Sequence, residues 1–143
     1  MKKIGKKGFT LVELMAVIGV IGVLMAAVLV GASSAKNTAR ISSTAQQIQL
    51  IYSACQSWLG NGRTNYTGIS ITALQNAGYL NPITNPYGGT YTVSQNASDS
   101  SRVDISTTGI PNSDVHGEIA SALSSVLQSE SYTSTGKKST FTF

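Results

Sequence analysis

Few side chains in this chain of 143 residues have the type and spacing to do chemistry. His116 is the only histidine and Cys55 the only cysteine. No Cys/His set therefore has metal-ligand spacing, and no intrachain disulfide can form. A Ser-His-Asp arrangement would have to use His116, which stands beside Gly117 at the start of a helical pattern and reads as an exposed polar residue. Asp99 and Asp104 lack the dense oxygen-ligand spacing of a calcium loop; they read as a turn residue and a solvated strand face. No phosphate loop, dinucleotide fingerprint or HExxH pattern occurs. Asn65-Tyr66-Thr67 and Asn96-Ala97-Ser98 match glycosylation acceptors, a pattern frequent by chance. These residues point to no enzyme, no cofactor and no metal. One acid does demand a reason. Glu13 is the single charged residue between Phe9 and Ala32, and Lys2, Lys3, Lys6 and Lys7 precede the run.

Phe9 to Ala32 spans 24 residues, where roughly 20 suffice to cross a bilayer core. The lysines predict that the N-terminal end stays cytoplasmic, by the positive-inside rule. Three readings compete. A secretory signal peptide would have a shorter apolar region, about 7–15 residues, before a small-residue cleavage site. Val30-Gly31-Ala32 supplies such a site, but the run is too long and Glu13 sits badly inside it. A plain transmembrane anchor explains the length and the lysines, and leaves Glu13 as an accident near the end of the span. The third reading uses every residue. Cleavage between Gly8 and Phe9 discards the lysines and creates an α-amine four residues before Glu13. Acid and amine can then pair between neighbouring chains, each satisfying the other inside an apolar bundle. An ionisable residue in a membrane span is a functional residue by default, with its partner to be named.

A short basic leader ending in Gly8, then Phe9-Thr10-Leu11-Val12-Glu13-Leu14 and an apolar helix, resembles the class III signal of type IV pilins and pseudopilins. The resemblance implies that prepilin peptidase cuts after Gly8, that Phe9 becomes the N-methylated terminus, and that Glu13 is the assembly acid. It covers residues 1–32. Many members carry a helix-kinking proline late in the apolar run. Here Val30 lies in that region, and Gly19, Gly22 and Gly31 are the residues able to loosen the helix instead.

The elements that position this segment follow in order. Thr38, Ile41, Ala45, Ile48, Tyr52, Cys55 and Leu59 recur at steps of three and four, widened by Ile51 and Trp58, which is the period of an amphipathic helix with one buried face. Cys55 on that stripe reads as a small core residue. Gly60-Asn61-Gly62 supplies the stop. Thr72-Ala73-Leu74-Gln75 fits a capping box and Gly78 a helix end, predicting a short helix at 73–77. Asn81-Pro82 and Asn85-Pro86-Tyr87-Gly88-Gly89 read as turns. Thr90–Val93 and Arg102–Ser106 alternate with period two and form a hairpin. Val115, Ile119, Ala122, Leu123, Val126 and Leu127 have helical spacing, with Asp114 and Glu118 near the favourable N-terminus. Ser139–Phe143 suits a last strand with Phe141 and Phe143 on its buried face.

The expected class is α+β. A long N-terminal helix, membrane half plus amphipathic half, packs on a small antiparallel sheet domain with an extra C-terminal helix, as in the pilin fold. The boundaries expected are 1–8 for a cleaved leader, 9–59 for the helix, with 9–32 as its transmembrane part and filament core, and 60–143 for the globular head. A helix placed before the last strand is similar to type IVb chains, whereas Phe at the cut is more usual in type IVa chains.

The formal charge of +4 misleads. Once the leader is removed, six basic residues face six acidic ones. They are scattered rather than clustered on a face, which disfavours a nucleic-acid partner. Charged residues make up only 11% of the chain, against roughly 25% in ordinary soluble domains. Ser, Thr, Asn and Gly fill the surface, as suits an extracellular or assembled protein. The function implied by the resemblance is structural. A precursor in a bacterial-type cytoplasmic membrane, processed by prepilin peptidase, would be polymerised by inner-membrane assembly machinery into a homo-oligomeric extracellular filament used for adhesion, motility or aggregation. The alternatives are a pseudopilin or minor pilin of a type II secretion or DNA-uptake system, and a surface binding module merely anchored by the N-terminal span.

Overall fold

The computed structural model describes residues 9–143. Seven elements follow in order: α1 (Leu11–Leu59), α2 (Ile71–Asn76), β1 (Tyr91–Gln95), β2 (Val103–Thr107), α3 (Ser113–Leu123), β3 (Ser129–Thr133) and β4 (Lys138–Thr142). The chain divides into two compact units, Met1–Asn37 and Thr38–Phe143, and α1 contributes to both. The architecture is the α+β arrangement expected, a long N-terminal helix with a small antiparallel sheet and a further helix.

In the second unit α1 buries one stripe. Ile41, Thr44, Ala45, Ile48, Ile51, Ala54, Cys55 and Trp58 are buried, and Tyr52 and Leu59 are packed partly against them. The three-and-four spacing of apolar residues causes this, since such positions share a helix face. Thr38 is exposed, so the stripe begins one turn later than its spacing suggests. The helix closes where glycine appears, with Gly60 N–H donating to the Gln56 carbonyl at 3.1 Å.

The four strands run antiparallel in the order β1-β2-β4-β3. Strand periodicity sorts their side chains onto two faces, with Ser106 and Thr142 of the second face buried as well. Val93, Ile105 and Phe141 stand in one cross-strand row and are buried. The opposite face carries Thr92, Ser106 and Thr140, then Ser94, Asp104 and Thr142. There the Ser106 and Thr140 hydroxyls lie 2.9 Å apart, and Asp104 Oδ1 accepts from Thr142 Oγ1 at 2.7 Å and Asn96 Nδ2 at 2.9 Å. The apolar face packs on α1. Tyr52 stacks on Phe143 with ring centroids 4.6 Å apart. The Tyr91 hydroxyl donates to Gln47 Oε1 at 2.7 Å, and Gln47 Nε2 reaches the Thr84 carbonyl at 3.0 Å.

The connector is fastened by Asn85, which is buried. Its Nδ2 donates to Thr107 Oγ1 (2.7 Å) and to the Thr108 carbonyl (3.1 Å), and its Oδ1 accepts from Tyr87 N–H (2.8 Å). Pro86 follows in a turn closed by Gly88 N–H on the Asn85 carbonyl at 2.9 Å. Gly89 then passes so close to Thr108 that a Cβ would collide with its carbonyl oxygen, so only glycine fits.

Four local expectations are corrected. The short helix begins at Ile71 rather than 73, because Ser70, not Thr72, is its cap; Ser70 Oγ accepts from Ala73 N–H at 3.0 Å. The third helix is capped by Asn112 and ends at Leu123, leaving Val126 and Leu127 beyond it. Strand β3, an exposed edge, adds a strand beyond the three expected. Finally, His116 is not an exposed polar residue. Its side chain is 8% exposed, its ring is stacked on Phe141 at 5.2 Å and tilted against Tyr132 at 5.6 Å, and Nε2 lies 3.6 Å from Glu130 Oε2.

Candidate membrane and assembly segment

The large apolar side chains of the first unit are unburied, from Phe9 (85% exposed) to Leu29 (72%). By length and composition α1 is apolar enough to cross a membrane. Such exposure in a water-soluble unit would be a liability, so the segment calls for an apolar environment. Lys2, Lys3, Lys6, Lys7 and Gly8 lie outside the described residues. Phe9 is described and precedes the first helical residue by two positions.

Glu13 also does local work at the helix start. Thr10 N–H and Thr10 Oγ1 both donate to Glu13 Oε2 at 2.9 Å, and Glu13 N–H returns a bond to Thr10 Oγ1 at 3.3 Å. Leu14 N–H meets the Thr10 carbonyl at 3.1 Å. This is a reciprocal capping box, and its signature Thr-x-x-Glu before an apolar run was present in the sequence. The box satisfies backbone donors that a helix start otherwise leaves open, which matters most where water is excluded. It uses only Oε2. Glu13 Oε1 has no partner among the described residues. The same carboxylate thus starts the helix and presents one free acceptor beside its N-terminal end.

Residues 4–29 match the family model of the prokaryotic N-terminal methylation motif. The segment is a class III prepilin signal, the mark of the type IV pilin and pseudopilin family. A prepilin-type motif implies processing by a peptidase and association with the membrane, so the chain is a membrane-anchored precursor. The prepilin match ends inside α1; no curated relative and no solved structure matches the chain. Its architecture is consistent with the pilin fold, and the family is structural and generally non-enzymatic.

The remaining reactive side chains of this pilin-like chain are absorbed by packing. Cys55 is fully buried, and burial pushes its thiol up to about 12, which keeps it neutral and inert. Asp99 accepts from Ser101 and pairs with Arg102 Nε at 3.2 Å. Among the described residues no three His, Cys, Asp or Glu side chains converge in a way that would hold a metal ion.

Proposed function

We propose that this chain is a type IV pilin: prepilin peptidase cuts between Gly8 and Phe9, Phe9 is N-methylated, and inner-membrane machinery polymerises the product into a helical surface filament. The observation that carries the reading is the methylation motif over residues 4–29 with Glu13 inside it. Before the cut, four lysines hold the N-terminus at the cytoplasmic face. After it they are gone, basic and acidic side chains balance, and an amine appears at Phe9. The free oxygen of Glu13 accepts the amine of a neighbouring copy while the other oxygen stays in the cap of its own helix. Each ionised group gains a partner as the apolar helices come together. The polar outer sheet face and the Ser/Thr/Asn-rich loops of residues 60–143 then form the filament surface, for adhesion, motility or aggregation.

Co-expression with a prepilin peptidase tests the first step. Wild-type chain should shorten by the leader, and Gly8→Ala should stay full length. A normally shortened Gly8→Ala product would reject the cleavage assignment. Shearing cells then separates the filament role from that of a secretion pseudopilin: a pilin is recovered abundantly in the sheared fraction, a pseudopilin is not.

A further inference from the structure

The turn that ends α1 sets an asparagine directly before a glycine, Asn61-Gly62, and both are exposed. Gly62 has φ of 80°, and nothing lies within 4 Å of the place a side chain would take. Its N–H has no hydrogen-bond partner among the described residues. Imide formation needs these features together: an asparagine side chain free to turn toward the next residue, an unhindered following nitrogen, and an amide proton not held in a bond. Asn37 lies inside α1, and Asn76 ends α2 with the following Ala77 N–H bonded to the Ala73 carbonyl at 3.0 Å; the remaining asparagines also lack them. Asn81 and Asn85 precede prolines, which have no N–H to give up. Tyr66 N–H, after Asn65, is bonded to the Ser100 carbonyl at 3.0 Å. Asn96 Oδ1 is engaged by Ser98 and Asp99 N–H, and Asn112 Oδ1 caps α3.

We propose that Asn61 is a spontaneous deamidation site of the folded chain. The Gly62 nitrogen, giving up its proton, attacks Asn61 Cγ, and the Cγ–Nδ2 bond breaks as Nδ2 takes a proton and leaves as ammonia. Water then opens the cyclic imide. Breaking the new Gly62 N–Cγ bond yields aspartate; breaking the bond from Gly62 N to the original backbone carbonyl carbon yields isoaspartate. The balance is one water in, one ammonia out and one negative charge gained. The new carboxylate arises at the carbonyl end of α1, where the helix dipole disfavours an anion. It also arises two residues from Arg63, whose guanidinium lies 3.8 Å over the Trp58 ring, so it competes with that ring for the cation.

The test is peptide mapping of the full chain in detergent, aged at mildly alkaline pH with and without urea, together with isoaspartate-specific enzymatic methyl labelling. The native chain should accumulate aspartate and isoaspartate at Asn61 while Asn65, Asn96 and Asn112 keep their amides. Gly62→Ala should bring conversion at Asn61 down to the level of those three. Asn61→Gln should abolish labelling of that peptide with an unchanged circular dichroism spectrum. An Asn61 that converts in urea but stays an amide in the native chain would overturn the proposal. So would native conversion undiminished in Gly62→Ala.

Discussion

Replacing Cys55 by serine separates the core of the second unit from its assembly chemistry. The thiol is 0% exposed in the cluster that holds Ile48, Ile51 and Leu74. A serine hydroxyl there is a stronger polar group with no prepared partner, and a buried unsatisfied hydroxyl costs about 1–3 kcal/mol. A bond back to the carbonyl one turn earlier recovers part of this. With an m of about 1–2 kcal/mol/M, the urea midpoint should fall by on the order of 1 M. Trp58 is the only tryptophan, is buried, and lies on the same helix face, so its emission reports the transition. Folded Cys55→Ser chain should assemble at wild-type yield. The same thiol sets an alkaline limit. Burial raises it from its ordinary 9.0 to about 12, so above pH 9 the unfolded chain releases a proton that the folded chain keeps. Stability is therefore full below about pH 9 and falls toward pH 12, by roughly 1.4 kcal/mol per pH unit. Burial also raises Tyr66 and Tyr91 from 10.0 to about 12, which steepens the loss above pH 10. The serine variant should lack the part that begins near pH 9. An unchanged midpoint, rapid thiol labelling of the native chain at neutral pH, or an assembly defect in a stably folded variant would each refute the reasoning.

Other perturbations probe other links. Asn85→Ala removes three hydrogen bonds at one buried point. It should cost about 2–4 kcal/mol, read by urea unfolding, and a double-mutant cycle with Thr107→Val should show coupling above about 0.5 kcal/mol. Gly89→Ala forces a methyl into the Thr108 carbonyl and should leave the unit unfolded or strongly destabilised by circular dichroism. Glu13→Gln keeps an acceptor for the Thr10 cap and removes the charge, whereas Glu13→Ala removes both. Both variants should insert and be processed yet fail to form filaments; wild-type filament yield from Glu13→Gln would leave capping, not pairing, as the role of that acid.

How far the chain could be read in advance depended on where its information lay. The amphipathic stripe of α1 and the alternation of β1, β2 and β4 were legible because each has one buried face and a residue period to match. Strand β3 was not. Ser129-Glu130-Ser131-Tyr132-Thr133 is an exposed edge, and only Tyr132 is even partly buried, so no apolar alternation marks it. The burial of His116 was illegible for a different reason. Its immediate neighbours, Val115 and Gly117, give no sign of it, and the ring that buries it, Phe141, arrives from β4, distant in sequence. Asn85 announced a turn through Pro86, but its bonds to Thr107 and Thr108 are tertiary and leave no local trace. At the N-terminal segment the acid is conspicuous by charge, whereas its local partner Thr10 is marked only by the uncharged half of the Thr-x-x-Glu pattern.

The central claim is that the segment from Gly8 to Glu13 is a signal before cleavage and an assembly interface after it. N-terminal mass analysis of purified surface filaments tests it most directly. The account predicts a subunit of this chain that begins at an N-methylated Phe9. A filament subunit beginning at Met1 or at any residue other than Phe9, or filaments that lack this chain, would contradict it.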